Sequence, residues 1–234
     1  MNSRNPILPW LVWGLLGVVI FAIAALFVRN EWEKRQWVTD KPLMNLGRIS
    51  DFLLTNQTGQ AVSLDDLQGQ VWVADIIFTR CPGPCVYMSR RMQELQAAIP
   101  ADLPVKLISL TTDPAYDTPG ILQDYAQRFR ADSNRWWFLT GLKSEVVRLA
   151  VDNLKLVMMD KDEAQRESPN DLFIHSTLLV VVDKQGQLRA TFESLPRDLD
   201  EEESVDSAAE ESESRAFEKT KQDIVKTVQR LSMD

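Results

Sequence analysis

A nearly continuous apolar run in the middle of the chain, residues 71–78 (VWVADIIF), constrains the fold more than any other feature of the sequence. A strand without alternating polar positions is typical of one that is buried on both faces. Apolar residues then recur at helical spacing over residues 84–99, which predicts a long helix. Because helices cover both faces of such a strand, the two elements together indicate an α/β fold.

The flanking segments continue this alternation of strands and helices. Thr118 and Pro119 are typical of a helix start, since threonine caps free N–H groups and proline needs no hydrogen bond at that position. A hairpin after the alternating region predicts a mixed sheet flanked by helices. We expect strands at 49–55, 61–64, 105–110, 136–139, 154–158, 177–182 and 188–193, and helices at 118–130, 143–153 and 215–234.

Negative charge is concentrated near the C-terminus. The 234 residues carry 26 basic and 34 acidic side chains, for a net charge of −8, and residues 198–214 hold nine of the acids and no base. A chain without clustered lysine and arginine is not expected to bind nucleic acid. A like-charged block without aromatic residues cannot bury enough apolar surface to fold, so we predict a solvated acidic linker at 198–214 and an amphipathic helix at 215–234.

The N-terminal region predicts a membrane anchor, because residues 7–28 contain no charged side chain. A helix of this length crosses the roughly 30 Å hydrocarbon core of a bilayer, whereas a secretory signal peptide has an apolar stretch of about 7–15 residues. We predict a tail at 1–5, a transmembrane helix at 6–28, a linker at 29–45 and a folded domain at 46–197. The distribution of basic residues around the anchor favours a cytoplasmic location for that domain.

The only two cysteines lie between the buried strand and the predicted helix, in the sequence Cys81-Pro-Gly-Pro-Cys85. Unpaired N–H groups and the helix dipole stabilise a thiolate there, and Arg80 acts in the same direction. Residues i and i+4 share a helix face, so this spacing allows either a disulfide or two thiolates on one metal ion. A disulfide across so short a loop would add only on the order of 2 kcal/mol, which disfavours a purely structural bridge.

His175 is the only histidine of the chain. With two cysteines and one histidine, zinc sites of three or four thiolates are excluded, and a serine hydrolase would need His175 as its base. A single histidine at the start of an apolar strand is usually structural. Two thiolates and one imidazole would nevertheless form a soft ligand set that suits copper better than zinc. The sequence does not show whether His175 approaches the thiols.

Four segments resemble, in the same order, those of the Sco/SenC family of copper chaperones, which are membrane-anchored, thioredoxin-like proteins of cytochrome c oxidase assembly. They are VWVADIIFTRCPGPC (71–85), the DP and DTP motifs that contain Asp113 and Asp117, FLTG (138–141) and HSTLLVVVDKQG (175–186). The resemblance implies a thioredoxin-like domain. Val86, where many members have proline, and the acidic segment 198–214 depart from the family pattern.

The same resemblance implies the chemistry of the site. Cys81 and Cys85 would be thiolate ligands of copper, as Cu(I) or Cu(II), and His175 would be the third ligand. The copper would be delivered to the binuclear copper site of cytochrome c oxidase subunit II. The family also implies a single-pass anchor in the inner membrane and a domain that faces the periplasm, against the charge count. Ile174 stands where some members have aspartate, which leaves the outer partner of His175 unassigned.

Asp75 is an acid inside an otherwise apolar strand, so burial should raise its pKa. In thioredoxin-like proteins an acid in this position lies beneath the active cysteines. Asp75 would then either accept a proton and help Cys85 to ionise, or be a hydrogen-bonded structural residue.

Two functions remain open at this stage. The first is a non-enzymatic copper metallochaperone, which needs Cys81, Cys85 and His175. The second is a thiol–disulfide oxidoreductase, in which Cys81 attacks and Cys85 resolves, acting on cysteines of a copper-protein partner. A tethered copper or redox sensor is a third class. Dithiol exchange does not require His175, so this residue distinguishes the first function from the second.

Overall fold

The structure is a computed structural model that describes residues 13, 16–27, 29, 43–81, 83–166, 169–194 and 207–233, without the side chains of 207–216. The chain divides into two compact units, Met1–Leu43 and Met44–Asp234. In the first unit residues 16–27 are helical. No helix within the described residues is both long enough and apolar enough to cross a membrane. The predicted tail 1–5 and parts of the predicted anchor and first linker lie outside the described residues.

The second unit contains two sheets and four helices in its described part. The strands are β1 (Gly47–Arg48), β2 (Leu53–Asn56), β3 (Ala61–Ser63), β4 (Val71–Ile77), β5 (Val105–Thr111), β6 (Trp136–Thr140), β7 (Met158–Asp160), β8 (Phe173–His175), β9 (Leu178–Val182) and β10 (Gln187–Glu193). The helices are α1 (Pro84–Ala98), α2 (Pro119–Arg128), α3 (Lys143–Val147), which continues as a π-helical segment over Arg148–Asn153, and α4 (Ser207–Met233), with short 3₁₀ turns at Asp65–Leu67 and Glu163–Gln165.

The predicted mixed sheet is confirmed. Eight strands lie in the order β1-β10-β9-β4-β5-β6-β2-β3, and every residue of β4 is buried. β4 pairs in parallel with β5, β5 pairs in parallel with β6, and β4 pairs antiparallel with β9. The parallel pairs require crossover helices, which explains the alternation read from the sequence. As a result, the carboxyl ends of β4, β5 and β6 lie along one edge of the sheet.

The strand predicted at 154–158 differs from the one observed. Leu154 and Leu156 are buried in the hydrophobic core without strand pairing, and the strand that follows, β7, begins at Met158. β7 pairs with β8 in a separate two-stranded sheet, in which Met158 lies opposite His175. Burial alone therefore produced the apolar pattern at 154–158. His175 ends its own strand and does not belong to β9.

The C-terminal helix α4 begins at Ser207, inside the segment predicted as an acidic linker, while residues 195–206 lie outside the described residues. It packs against α1, β4 and β10. Phe217, Ile224, Val228 and Leu231 are buried along one face, as helical spacing predicts. The Arg91 guanidinium of α1 lies 4.6 Å from the centre of the Phe217 ring. This helix therefore covers one face of the central strands.

Replacing Ile224 with alanine should destabilise the domain by about 2–4 kcal/mol, because the cavity left by a fully buried side chain closes only in part. Urea unfolding followed by circular dichroism measures this change. Gln222→Ala, an exposed position of the same helix, is the control and should change the unfolding free energy by less than about 0.5 kcal/mol. Equal effects of the two substitutions would show that α4 does not contribute to the core.

Candidate metal centre

The two cysteines are positioned by the end of β4 and the start of α1. After Ile77 the chain turns, and the Cys81 backbone N–H donates a hydrogen bond to the carbonyl of Phe78 at 3.2 Å. Pro84 then occupies a first-turn position of α1, where its missing N–H costs nothing. Cys85 follows in the first turn, and its backbone N–H points to Cys81 Sγ at 3.5 Å. Both thiols are free; Cys85 is fully buried and Cys81 is partly exposed.

The β7–β8 hairpin brings His175 to the thiols. His175 Nε2 lies 3.2 Å from Cys85 Sγ, although the two residues are 90 positions apart in the chain. The other ring nitrogen, Nδ1, lies 3.2 Å from the carbonyl oxygen of Ser176. The Phe78 ring packs edge-on against the imidazole with 5.8 Å between ring centres. The backbone carbonyl is the outer partner of His175 that the sequence left unassigned, and sequence reasoning could not find it because any residue type supplies it.

The three side chains form a compact set of donors. The Cys81, Cys85 and His175 ligand atoms all lie within 4.8 Å of one another. Among the described residues, no other group of three histidine, cysteine or acidic side chains is arranged in this way. A hydrogen bond from Nδ1–H to Ser176 O leaves the Nε2 lone pair directed at the sulfurs, as a metal ligand requires. The donor set fits a soft transition metal such as copper.

The two thiols differ strongly in acidity. A hydrogen bond from the Cys85 thiol lowers the pKa of Cys81 to about 4, and the neighbouring His175 and backbone N–H groups act in the same direction against burial. Burial raises the pKa of Cys85 well above its ordinary value, and the neighbouring Cys81 thiolate raises it further. At neutral pH the pair therefore holds one thiolate, on the more exposed sulfur, and one thiol.

Asp75 lies within β4, directly opposite Ser109 of β5, and is fully buried. Neither carboxylate oxygen forms a hydrogen bond of ordinary geometry within the described residues, although the Ser109 hydroxyl is close enough to affect the pKa of Asp75. Burial raises the pKa of Asp75 to about 7, and the nearby Ser109 hydroxyl and His175 offset this only in part.

Two residues that the sequence placed only in a resemblance motif also contact the cysteine loop. Asp117 is fully buried and accepts a hydrogen bond from the backbone N–H of Thr79 at 3.1 Å. Asp113 forms an ion pair of 2.5 Å with Arg80, whose guanidinium lies 4.0 Å from the centre of the Tyr116 ring. The only signal in the sequence was their place in the DP and DTP motifs.

A cleft of about 540 Å³ opens between the Asp113 loop, the start of α3 and the β7–β8 hairpin. Phe173 lines it and also packs against Phe78 with 5.1 Å between ring centres, so the cleft is next to the surroundings of His175. Lys143 Nζ lies 4.5 Å from the centre of the Phe173 ring and bonds to Asp160 at 2.9 Å. Lys143 and Asp160, two charged side chains of the cleft, are thus paired with each other.

Comparison with known proteins gives consistent matches. A family model described as SCO1/SenC matches residues 45–210, which include both cysteines and the histidine. The chain is 32% identical over 142 residues to the SCO1 protein homolog of Bacillus subtilis (strain 168), covering 60% of this chain and 70% of that protein. It is 30% identical over 143 residues to a protein of Stutzerimonas stutzeri that is named for copper binding, covering 60% and 67%.

A solved structure of BsSco, described as a member of the Sco family of cytochrome c oxidase assembly proteins that contains a disulfide switch, superposes with a TM-score of 0.63. The two proteins are 27% identical, and their alignment covers 82% of this chain and 97% of the BsSco chain.

The rate at which iodoacetamide alkylates Cys81 in the reduced, metal-free protein should rise with pH around a midpoint of about 4. Cys85→Ala removes the main hydrogen-bond donor to the thiolate and should raise this midpoint by at least about one unit. Peptide mass spectrometry identifies which cysteine is labelled. A wild-type midpoint above about 7 would contradict the assignment of the thiolate to Cys81.

Asp75 makes stability depend on pH in a direction that can be measured. Its pKa is raised in the folded state, so its contribution is most favourable below the unfolded pKa of about 4 and is lost as the pH rises through about 7. Between about pH 5 and about pH 8 the wild-type protein should lose at least about 1 kcal/mol more unfolding free energy than Asp75→Asn. Asp124→Asn, an exposed position in α2, should keep the wild-type dependence. Parallel urea curves for the wild type and Asp75→Asn would contradict the burial of an ionisable carboxyl here.

Proposed function

The chain belongs to the SCO1/SenC family, with the mixed α/β, thioredoxin-like fold of that family, and on this basis we propose that it is a membrane-anchored copper metallochaperone. Cys81, Cys85 and His175 bind the copper, which passes to the binuclear copper site of cytochrome c oxidase subunit II. The observation that carries this proposal is the convergence of the three ligand atoms to within 4.8 Å of one another.

The acidities of the two thiols suit the uptake of a copper ion. Cys81 is already a thiolate at neutral pH and offers the first bond without releasing a proton. Cys85 must lose its proton when it binds, because the thiolate is the ligand. Asp75 is buried, its charge raises the pKa of Cys85, and its own pKa of about 7 suits a proton acceptor near neutrality. We assign Asp75 this supporting role.

Unequal exposure of the ligands suits the release of copper by ligand exchange. Cys81 and His175 are partly exposed, whereas Cys85 is fully buried. An incoming thiolate or imidazole of the acceptor therefore reaches the site from the side of Cys81 and His175. The ion stays bonded to at least one protein while these two ligands are replaced, and Cys85 is the last to leave.

Membership of the family supports the proposed acceptor and location. BsSco is described as a member of a family of cytochrome c oxidase assembly proteins, and the B. subtilis and S. stutzeri relatives align with 60% of this chain at 32% and 30% identity. We propose that residues 6–28 anchor the chain in the inner membrane, with the thioredoxin-like domain at 46–197 on the periplasmic side. The linker at 29–45 would let that domain reach an acceptor in the same membrane. The acidic segment 198–214 and the helix at 215–234 complete the proposed domain organisation.

A thiol–disulfide oxidoreductase is the second candidate, and the unequal pKa values of the cysteines favour it. In that reaction the Cys81 thiolate attacks a disulfide of the partner and forms a mixed disulfide, releasing the first partner sulfur as a thiolate. Cys85, once deprotonated, attacks Cys81 Sγ, so that the partner leaves fully reduced and Cys81–Cys85 becomes a disulfide. The two electrons come from the two thiols. The described disulfide switch of BsSco concerns the same kind of chemistry.

His175→Ala separates the two functions. It should weaken Cu(I) binding at least about 100-fold, because losing a direct ligand costs more than losing an outer partner, which itself costs about 10–100-fold. Competition with a chromophoric Cu(I) chelator measures the affinity of the full-length, untagged protein. The thiol titre should be unchanged, since no cysteine is removed.

Ile174→Ala is the matched control, because Ile174 is the adjacent residue of β8 and points to the opposite, exposed side. It should bind copper like the wild type. Wild-type affinity in His175→Ala would refute the three-ligand copper site. Reduction of a model disulfide substrate at the wild-type rate by His175→Ala, together with weak copper binding in the wild type, would favour the oxidoreductase.

A further inference from the structure

We infer that Asp117 is a positioning residue for the copper site: from the loop after β5 its carboxylate fixes the loop that carries Cys81. This inference rests on the proposed function for its copper readout. It concerns a residue that contacts neither thiol and that the sequence analysis named only as part of the DTP motif. Its role would be to fix, through Thr79, the position of the Cys81 sulfur.

Both carboxylate oxygens of Asp117 accept hydrogen bonds, from Thr79 of the cysteine loop and from Thr111 of β5. One oxygen accepts hydrogen bonds from the backbone N–H of Thr79, at 3.1 Å, and from the Thr111 hydroxyl. The other accepts a hydrogen bond from the Thr79 hydroxyl. Asp117 is fully buried, so water cannot replace these bonds if the carboxylate is removed. Thr79 lies just beyond the end of β4, where strand pairing no longer provides a partner for its N–H.

The loop that carries Asp117 is itself rigidly tied. The Asp117 N–H donates to the carbonyl of Asp113 at 2.9 Å, and the Asp113 N–H donates to the Thr111 hydroxyl at 3.0 Å. The Thr112 N–H donates to the carbonyl of Ile77 at 2.7 Å. A carboxylate on such a loop has a fixed position, so it can hold a neighbouring segment in place.

The same loop holds the next residue of the cysteine segment as well. Arg80 forms its 2.5 Å ion pair with Asp113, and its guanidinium packs on Tyr116 at 4.0 Å. Residues 111–117 therefore form hydrogen bonds or ion pairs with three residues that precede Cys81, namely Ile77, Thr79 and Arg80. These contacts leave the Cys81 backbone little freedom relative to β5.

Cys85 is held by different contacts. Its carbonyl accepts a hydrogen bond of 3.4 Å from the Tyr125 hydroxyl, which also contacts Ser89 of α1 at 3.0 Å. Loss of the Asp117 carboxylate would consequently displace Cys81 while Cys85 stays in α1. The distance from Cys81 to the other two ligands would change although no ligand is removed.

The test compares three substitutions in the full-length, untagged protein. Asp117→Ala removes both acceptors, whereas Asp117→Asn keeps an oxygen for the Thr79 N–H. Asp183→Ala is the matched control, because Asp183 is also buried and accepts N–H bonds from Gln185 and Gln187 at 3.0 and 2.8 Å. Asp183 follows β9, whose end pairs with the start of β4, so it lies at the sheet edge opposite the cysteines.

Two measurements are made on each protein, with thermal unfolding in parallel. The first is the Cu(I) affinity, from competition with a chelator. The second is the nitrogen-15 spectrum of the single histidine side chain in the reduced, metal-free protein. Asp117→Ala should lose about tenfold or more in affinity and shift the His175 resonances, as expected for an outer partner of a metal site. Asp117→Asn and Asp183→Ala should retain the wild-type affinity and resonances, even where Asp183→Ala lowers the melting temperature.

Each outcome decides the proposal. Wild-type affinity and resonances in Asp117→Ala, or an equal loss in Asp183→Ala, would overturn it. If Asp117→Ala does not fold, Thr79→Val, which removes one donor to the same carboxylate, takes its place under the same criteria. If the wild type itself fails to bind copper, the proposed function fails, while the His175 resonances of the metal-free protein still decide whether Asp117 positions the site.

Discussion

The complete burial of β4 is the constraint on which the rest of the structure depends. All of its residues are buried: parallel β5 and antiparallel β9 pair with its two edges, and the helices α1 and α4 pack against it. A strand so enclosed cannot shift its register without exposing apolar side chains. Its carboxyl end is therefore a fixed point. The end of β4 determines where the following turn and the first residues of α1 lie, and this places the two sulfurs at the edge of the sheet.

Electrostatics at this edge arise from the same burial. The sulfur deeper in α1 keeps its proton because a charge there would lack solvation, and its thiol hydrogen stabilises the charge on the outer sulfur. Asp75, two strand positions before the end of β4, is subject to the same penalty. One buried environment thus sets the protonation of three groups, namely Cys81, Cys85 and Asp75.

The sequence could predict those features of the structure that depend on residues close together in the chain, and not those that depend on residues far apart. The burial of β4, the helix start at Pro84 and the face of α4 that contains Ile224 depend on short-range patterns, and each could be read from residues close together in the chain. The approach of His175 could not, because it depends on how β7 and β8 pair outside the main sheet. The partner of His175 Nδ1 and the role of Asp117 escaped for a related reason, since a backbone carbonyl and a buried turn carboxylate have no distinctive spacing.

The short β7–β8 sheet has a mechanical consequence. Its strands have three residues each and pair with one another, not with the eight-stranded sheet. A pair this small contributes little stability of its own. Moving the imidazole away from the sulfurs would then disturb the β7–β8 sheet, and no hydrogen bond between strands of the eight-stranded sheet would have to break. The main sheet and α1 hold the two sulfurs in place, whereas the imidazole depends on the small β7–β8 sheet for its position.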